Sequence, residues 1–328
     1  MRYYLFIVIS ILLFGCNKQT AKDNLKRDEK VKSFYLDSTY LFKAQPLKGF
    51  NFDYYLYIPK GLDQTKENTI LIESTNTGVS DSIEHHANRA KYAASKSSVG
   101  NYVSNKLQIP LLVPIFPRSE TNWQMYSHAF DSETFNEKGT DLERLDLQLL
   151  AMFEDAKSRL FTNGLKIQDK FFMTGFSASG TFANRFSILH PHKIKAVCAG
   201  GLNSILILPL EQYKGESLDF PIGIGDVESR TGKKADLHGF RSLPQFWFMG
   251  ENDKNDAAKF DDGYNPTERK WVYEILGEEM MPERWESVQQ IYLDNDIPAL
   301  FKTYKGIGHG TDRRINNEIS IFFERYLK

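Results

Sequence analysis

Hydrophobic positions along the chain fall into two alternating rhythms. Short apolar or alternating runs predict strands over Ser33 to Phe42, Phe50 to Pro59, Asn68 to Glu73, Leu111 to Pro117, Asp169 to Thr174, Ile194 to Ala199, Pro244 to Met249 and Ala299 to Tyr304. Elsewhere apolar residues recur at three and four. Leu142, Leu145, Leu149, Met152, Phe153, Ala156 and Leu160 predict a helix, with Thr140 as its N-cap and Glu143 completing a capping box. Phe182, Phe186 and Leu189 mark a second helix. Ile315, Ile319, Phe322, Phe323 and Tyr326 mark a last one that starts near Thr311. Buried strands alternating with helices predict an α/β protein with a mostly parallel central sheet and helices on both faces. The first two strands leave no room for a helix between them, so an antiparallel N-terminal edge is expected. No internal repeat or low-complexity block interrupts this alternation.

The N-terminus departs from the pattern. Behind Arg2, residues 3–14 form an uncharged apolar run of 12. A spanning helix needs about 20 residues, whereas the core of a signal peptide needs fewer. The run ends in Leu13-Phe14-Gly15-Cys16, which resembles the lipobox of bacterial lipoproteins and implies lipidation at Cys16. Residues 17–32 then carry nine charged positions, one leucine, one valine and no aromatic, too little apolar surface to fold alone. The expected organisation is a signal peptide over 1–15, a lipidated cysteine and tether over 16–33, and one α/β domain over 34–328. Such a chain would be held outside the cytoplasm, on the membrane through its lipid.

Composition narrows the chemistry. The 328 residues carry 41 basic and 42 acidic side chains, a net charge of −1. No basic field exists to hold nucleic acid, and no nucleic-acid partner is expected. Two cysteines, Cys16 and Cys198, provide neither a disulfide framework nor a cysteine-built zinc site. Cys198 reads as a small core residue. No metal and no organic cofactor is expected.

Gly175-Phe-Ser177-Ala-Ser179-Gly180 lies between a predicted strand and a predicted helix. A nucleophile elbow, Gly-x-Ser-x-Gly, occupies that place, with small residues two positions either side of the serine. Here Ser179 stands at the second small position and Gly180 follows. A helix N-cap serine is the plainer reading of Ser177. A serine nucleophile needs a base, and His309 in Gly306-Ile-Gly-His-Gly310 falls between the last strand and the last helix. His85 and His86 are adjacent and expected to point apart. His190 and His192 flank Pro191 at a helix end and read as partners of its dipole. His128 and His238 fall in predicted loops. The acid that orients the base should lie beyond a strand end between serine and histidine. Asp253 in Gly250-Glu-Asn-Asp253 fits, and Asp256 is its rival. An oxyanion site would take the backbone N–H of Ala178 and one donor from Ser74-Thr-Asn76-Thr77-Gly78, either Thr77 or Asn76. Trp123, Tyr126 and His128 are pocket candidates, with core packing an equal account of Trp123.

Taken in order, Tyr54-Tyr-Leu-Tyr-Ile-Pro59, the turn at Ser177, Ile194-Lys-Ala-Val197, Gly250-Glu-Asn-Asp253 and Tyr304-Lys-Gly-Ile-Gly-His309 resemble the α/β-hydrolase superfamily. The similarity is to its secreted branch of polyhydroxybutyrate depolymerases and feruloyl or acetyl-xylan esterases. It spans roughly residues 48–328, with an acidic insert near 255–280 that contains Tyr264 and Trp271 and suits a lid. The resemblance implies a serine hydrolase acting on carboxylic esters, free or linked to a polysaccharide or polyester, through Ser177, His309 and Asp253. A serine peptidase of the same fold, and an inactive binding lipoprotein that keeps the fold, are the alternatives.

Overall fold

The computed structural model describes residues 34–328. The signal-peptide, Cys16 and tether expectations lie outside the described residues. Eight strands build the central sheet: β1 (Ser38–Phe42), β2 (Tyr54–Ile58), β3 (Leu71–Glu73), β4 (Leu111–Pro114), β5 (Phe171–Phe176), β6 (Ile194–Gly200), β7 (Gln245–Gly250) and β8 (Leu300–Tyr304). Their spatial order is β1-β2-β4-β3-β5-β6-β7-β8. β2 pairs antiparallel with both β1 and β4, and every later pairing is parallel. Each of the eight runs predicted from the hydrophobic pattern is a strand of this sheet, and the antiparallel start is present.

Seven helices of eight residues or more accompany these strands among the described residues: α1 (Ile83–Ser95), α2 (Val99–Leu107), α3 (Leu145–Thr162), α4 (Ala178–Leu189), α5 (Pro266–Leu276), α6 (Trp285–Asp294) and α7 (Arg313–Glu324). Strand alternation sends neighbouring side chains to opposite faces. Phe171 meets Phe153 of α3 and Phe186 of α4, at ring centroids 4.9 and 6.1 Å away. Phe172, the next residue, meets Phe323 of α7 at 4.9 Å. On that second face Ala90 and Ala94 of α1, Val103 of α2 and Ile315 and Ile319 of α7 close one buried cluster. Cys198 is buried in the same cluster.

Side-chain caps set most helix starts. Ser82 accepts from the His85 amide, Ser98 from that of Asn101 and Asp312 from that of Ile315. Asn265 and Glu268 form a full capping box before α5. The expected capping box at Thr140 is not formed. Arg144 takes a left-handed φ of 52° and separates a turn over 140–144 from the helix, which begins at Leu145. Glu143 reaches back to the Gly139 amide instead. His190 is not a simple dipole partner either: its Nε2 lies 2.7 Å from the buried Asp146 carboxylate and ties the end of α4 to the start of α3.

Parallel pairing of β3, β5, β6, β7 and β8 brings their carboxyl ends to one edge of the sheet. Open α/β sheets bind ligands beyond that edge, and here it carries Ser177, Asp253 and His309. Among the described residues no helix is long and apolar enough to cross a membrane.

Candidate active site

The turn after β5 is dictated by steric crowding. Gly175 has Ser179 carbonyl oxygen 2.3 Å from where a Cβ would sit, so no side chain fits there. Ser177, one residue before α4, is held at φ 62°, ψ −131°. A non-glycine residue in this region costs roughly 1–3 kcal/mol and persists only where the surroundings enforce it. Its amide donates to Gly200 O of β6 at 3.0 Å, and its carbonyl accepts from Thr181. The side chain caps nothing, which removes the N-cap reading. Ser179, the departure from the strict motif, has a role of its own. Its Oγ accepts from the Phe176 amide and donates to the Phe176 carbonyl, both at 2.9 Å, and so closes the turn from inside.

The loops after β7 and β8 are stitched to each other by backbone. Gly250 has no room for a Cβ because the Gly308 carbonyl oxygen would lie 2.3 Å away. The Glu251 amide donates to Tyr304 O and the Asn252 amide to Ile307 O. This places Asp253 under His309. Nδ1 of His309 lies 2.9 Å from Oδ2 and 3.1 Å from Oδ1 of Asp253. A carboxylate only accepts, so Nδ1 carries the proton and Nε2 is left as the base. The Asp253 side chain is 1% exposed and that of His309 is 29% exposed, which buries the orienting charge and leaves the ring within reach of a substrate. The ring also lies against Phe176, centroids 4.9 Å apart, beside the serine. The Ser177 hydroxyl makes no hydrogen bond to His309 or to any other described residue. Such contacts are commonly long before substrate binds.

Asp256 goes elsewhere. It pairs with the buried guanidinium of Arg284, which also donates to Ser204 Oγ at 3.1 Å. Ala178 opens α4, so its amide is one of the four that have no partner inside the helix. Asn76 is exposed, with its side-chain amide 3.4 Å from Phe176 O, and Thr77 is buried. A cavity of about 390 Å³ opens beside this loop, lined by Glu73, Asn76, Phe176 and Thr311 among others. Burial pushes the Glu73 carboxyl up to about 7, against the Gly100 amide that donates to it.

Two pocket candidates are corrected. His128 is buried inside the protein, with Nε2 2.9 Å from Phe116 O, and burial holds its pKa down at about 3. It has no surface to offer a substrate. Tyr126 is buried beneath the Arg118 guanidinium, 3.3 Å from the ring centroid. Trp123 is 46% exposed and lines a cavity of about 320 Å³ with Tyr264 and Glu268. The insert near 255–280 is pinned on several sides. Asp262 pairs with Arg118, Asp261 with Arg269 and the Tyr264 hydroxyl with Arg185. Its Trp271 lines a further cavity of about 450 Å³. Sequence reasoning set His85 and His86 pointing apart, yet both turn back onto the loop after β3. Their adjacency in the sequence held no signal for this. Among the described residues no cluster of side chains suits a metal ion.

No protein-family model matches the chain, and no curated protein matches it in sequence. Solved structures do match in shape. A poly(aspartic acid) hydrolase from Sphingomonas sp. KT-1 aligns at 16% identity with a TM-score of 0.54, over 88% of this chain and 97% of its own. A poly(3-hydroxybutyrate) depolymerase from Bordetella parapertussis aligns at 14% identity and 0.55, over 89% and 90%. With the strand order described above, these likenesses define an α/β-hydrolase fold over residues 34–328.

Proposed function

We propose that this protein is a serine hydrolase that cleaves carboxylic esters. The observation that carries the reading is Ser177 held at a positive φ on the strand-to-helix turn, at the same sheet edge as the His309–Asp253 pair. In the proposed reaction Ser177 Oγ attacks the ester carbonyl while its proton passes to His309 Nε2. The new Oγ–C bond gives a tetrahedral oxyanion facing the Ala178 amide and a donor from Asn76 or Thr77. Collapse breaks the C–O bond, and His309 returns the proton to the departing alcohol. Water then repeats the sequence on the acyl-enzyme and releases the acid. Asp253 accepts from Nδ1 throughout and stabilises the imidazolium.

The test is covalent. Wild-type protein is expected to take up a fluorophosphonate probe and to hydrolyse p-nitrophenyl esters. Ser177→Ala is expected to lose the label and at least about 10⁴-fold in turnover while keeping its circular dichroism spectrum. A folded Ser177→Ala protein with undiminished turnover sinks the reading. Ester-linked polymers of hydroxy acids are the substrates we put first, because one similar structure is that of a polyester depolymerase. We further propose that Cys16 carries lipid outside the cytoplasm, on the strength of the apolar run that precedes it. Recovery of Cys16→Ala and wild type in the same soluble fraction would refute that anchor.

A further inference from the structure

Thr77 is buried in the loop after β3, although its neighbours Asn76 and Gly78 are exposed. Its hydroxyl oxygen lies 2.5 Å from Nδ1 of His86 and 3.4 Å from Nε2 of His128. Its carbonyl oxygen lies 2.9 Å from Nε2 of His85. Thr77 is thus gripped by three imidazoles, two from the first turn of α1 and one from the segment after β4.

The carbonyl partners fix where the protons are, because a carbonyl only accepts. Nε2 of His86 lies 2.8 Å from Ser80 O and therefore carries the proton. The Arg118 amide points at the same nitrogen from 3.3 Å but finds no lone pair on it in this tautomer, so the shorter bond to Ser80 O decides. Nδ1 of His86 is then an acceptor, and the Thr77 hydroxyl donates to it. Nε2 of His128 lies 2.9 Å from Phe116 O and is protonated likewise, which leaves its buried Nδ1 without a partner. Desolvation lowers the pKa of both rings, so they are neutral near pH 7. With its hydroxyl proton on His86, Thr77 has only its backbone N–H left to offer. No acceptor among the described residues takes that N–H.

The grip also sets Thr77 relative to Ala178. His128 belongs to the segment Tyr126–Ala129, and Tyr126 and Ala129 pack directly on Ala178. Arg185 of α4 donates to Ala129 O at 2.9 Å and holds that segment against the helix. One short stretch of chain therefore touches Thr77 through His128 and Ala178 through Tyr126 and Ala129.

We infer that His85, His86 and His128 are positioning residues that turn Thr77 so that its backbone N–H joins the Ala178 N–H at the developing oxyanion. The inference rests on the hydrolase reading of Ser177. Its test uses the full chain and p-nitrophenyl acetate, with Thr77→Val, Thr77→Ser, His86→Leu, His86→Asn and the Thr77→Val/His86→Leu double variant. Misplacing one donor of a preorganised pair costs about 10- to 10²-fold. Thr77→Val and His86→Leu are each expected to lower kcat by about that factor with KM within about twofold, and the double variant to fall no further than the worse single one. Thr77→Ser keeps the hydroxyl, and His86→Asn sets Oδ1 near the place of Nδ1, so both are expected to recover most of kcat. Folded Thr77→Val protein with wild-type kcat, or single effects that multiply in the double variant, would overturn the inference. Should His86→Leu fail to fold, Thr77→Val against Thr77→Ser decides the matter alone. Failure of the hydrolase reading has a different signature: wild-type protein that takes up no fluorophosphonate and turns over no ester, which overturns both.

Discussion

Asp253 and Asp256 stand three residues apart on one loop and end in opposite company. Asp253 lies under a partly exposed imidazole, and Asp256 under a buried guanidinium. An imidazole changes charge as a proton passes through it, and a carboxylate beside it can follow that change. A guanidinium keeps its charge throughout, so its partner can only hold structure. Distance from the strand end separates the two. Backbone bonds from Glu251 and Asn252 lock the first residues after β7 onto the β8 loop. Beyond Asp253 the chain turns away towards Ser204 and Arg284, where the Ala257 amide donates to Asn203 O. The proposed reaction therefore ties one aspartate to turnover, and the buried ion pair ties its neighbour to stability.

Asp253→Asn gives the largest expected effect. It leaves the shape intact but lets the imidazole take the wrong tautomer, and turnover should fall by about 10⁴ with the melting temperature little changed. A fall below tenfold in steady-state kinetics would show that His309 is oriented by something else. Asp256→Asn is the mirror case. It leaves the Arg284 charge buried without its partner, a loss of about 3–5 kcal/mol. Urea unfolding should report that loss, while the folded fraction keeps its kcat within a few fold. Equal damage to kcat from both substitutions would erase the distinction.

Glu73 sharpens the contrast from a third side, as a buried carboxyl that among the described residues is bonded by the Gly100 amide and the Ser98 side chain and by no cation. Its folded-state pKa is raised from 4.5 to about 7 by burial. The fold thus favours the neutral form. The stability this contributes is complete below about pH 4.5 and is lost as the pH rises through about 7. Glu73→Gln keeps the neutral shape and should flatten the decline of melting temperature over that window. Identical slopes for variant and wild type would show that the carboxyl is solvated.

The six inner strands were legible because they are largely runs of buried residues bounded by Pro, Gly or charge, as a covered sheet demands, whereas the edge strands β1 and β8 bury little beyond Phe42 and Tyr304. Ser177 and His309 were legible for a related reason, since strand ends and glycines mark the places where a turn must be tight. The choice between Asp253 and Asp256 was readable in outline, because only the former lies close enough to Gly250. What stayed hidden was long-range. Arg284, 28 positions beyond Asp256, left no local trace of its partner. His85 and His86 read as an adjacent pair that must point apart, and their convergence depends on a loop folding back over the first turn of α1. Arg144 ended the expected capping box through a backbone angle that no hydrophobic periodicity encodes.

The residues of the proposed site are strung along the chain as Thr77, Ser177, Asp253 and His309, and the last sits beyond β8, an edge strand of the sheet. Synthesis proceeds from the N-terminus, so a growing chain holds its nucleophile and its acid well before its base exists. Serine without a base is a weak nucleophile, and the unfinished protein is chemically silent. In the proposed reaction, hydrolysis begins only when the edge strand docks on β7 and carries the histidine over the aspartate. The same dependence runs in reverse during unfolding. Edge elements open locally at lower free energy than the core, so under the proposed reaction detachment of β8 alone would extinguish turnover while the rest of the sheet still stands.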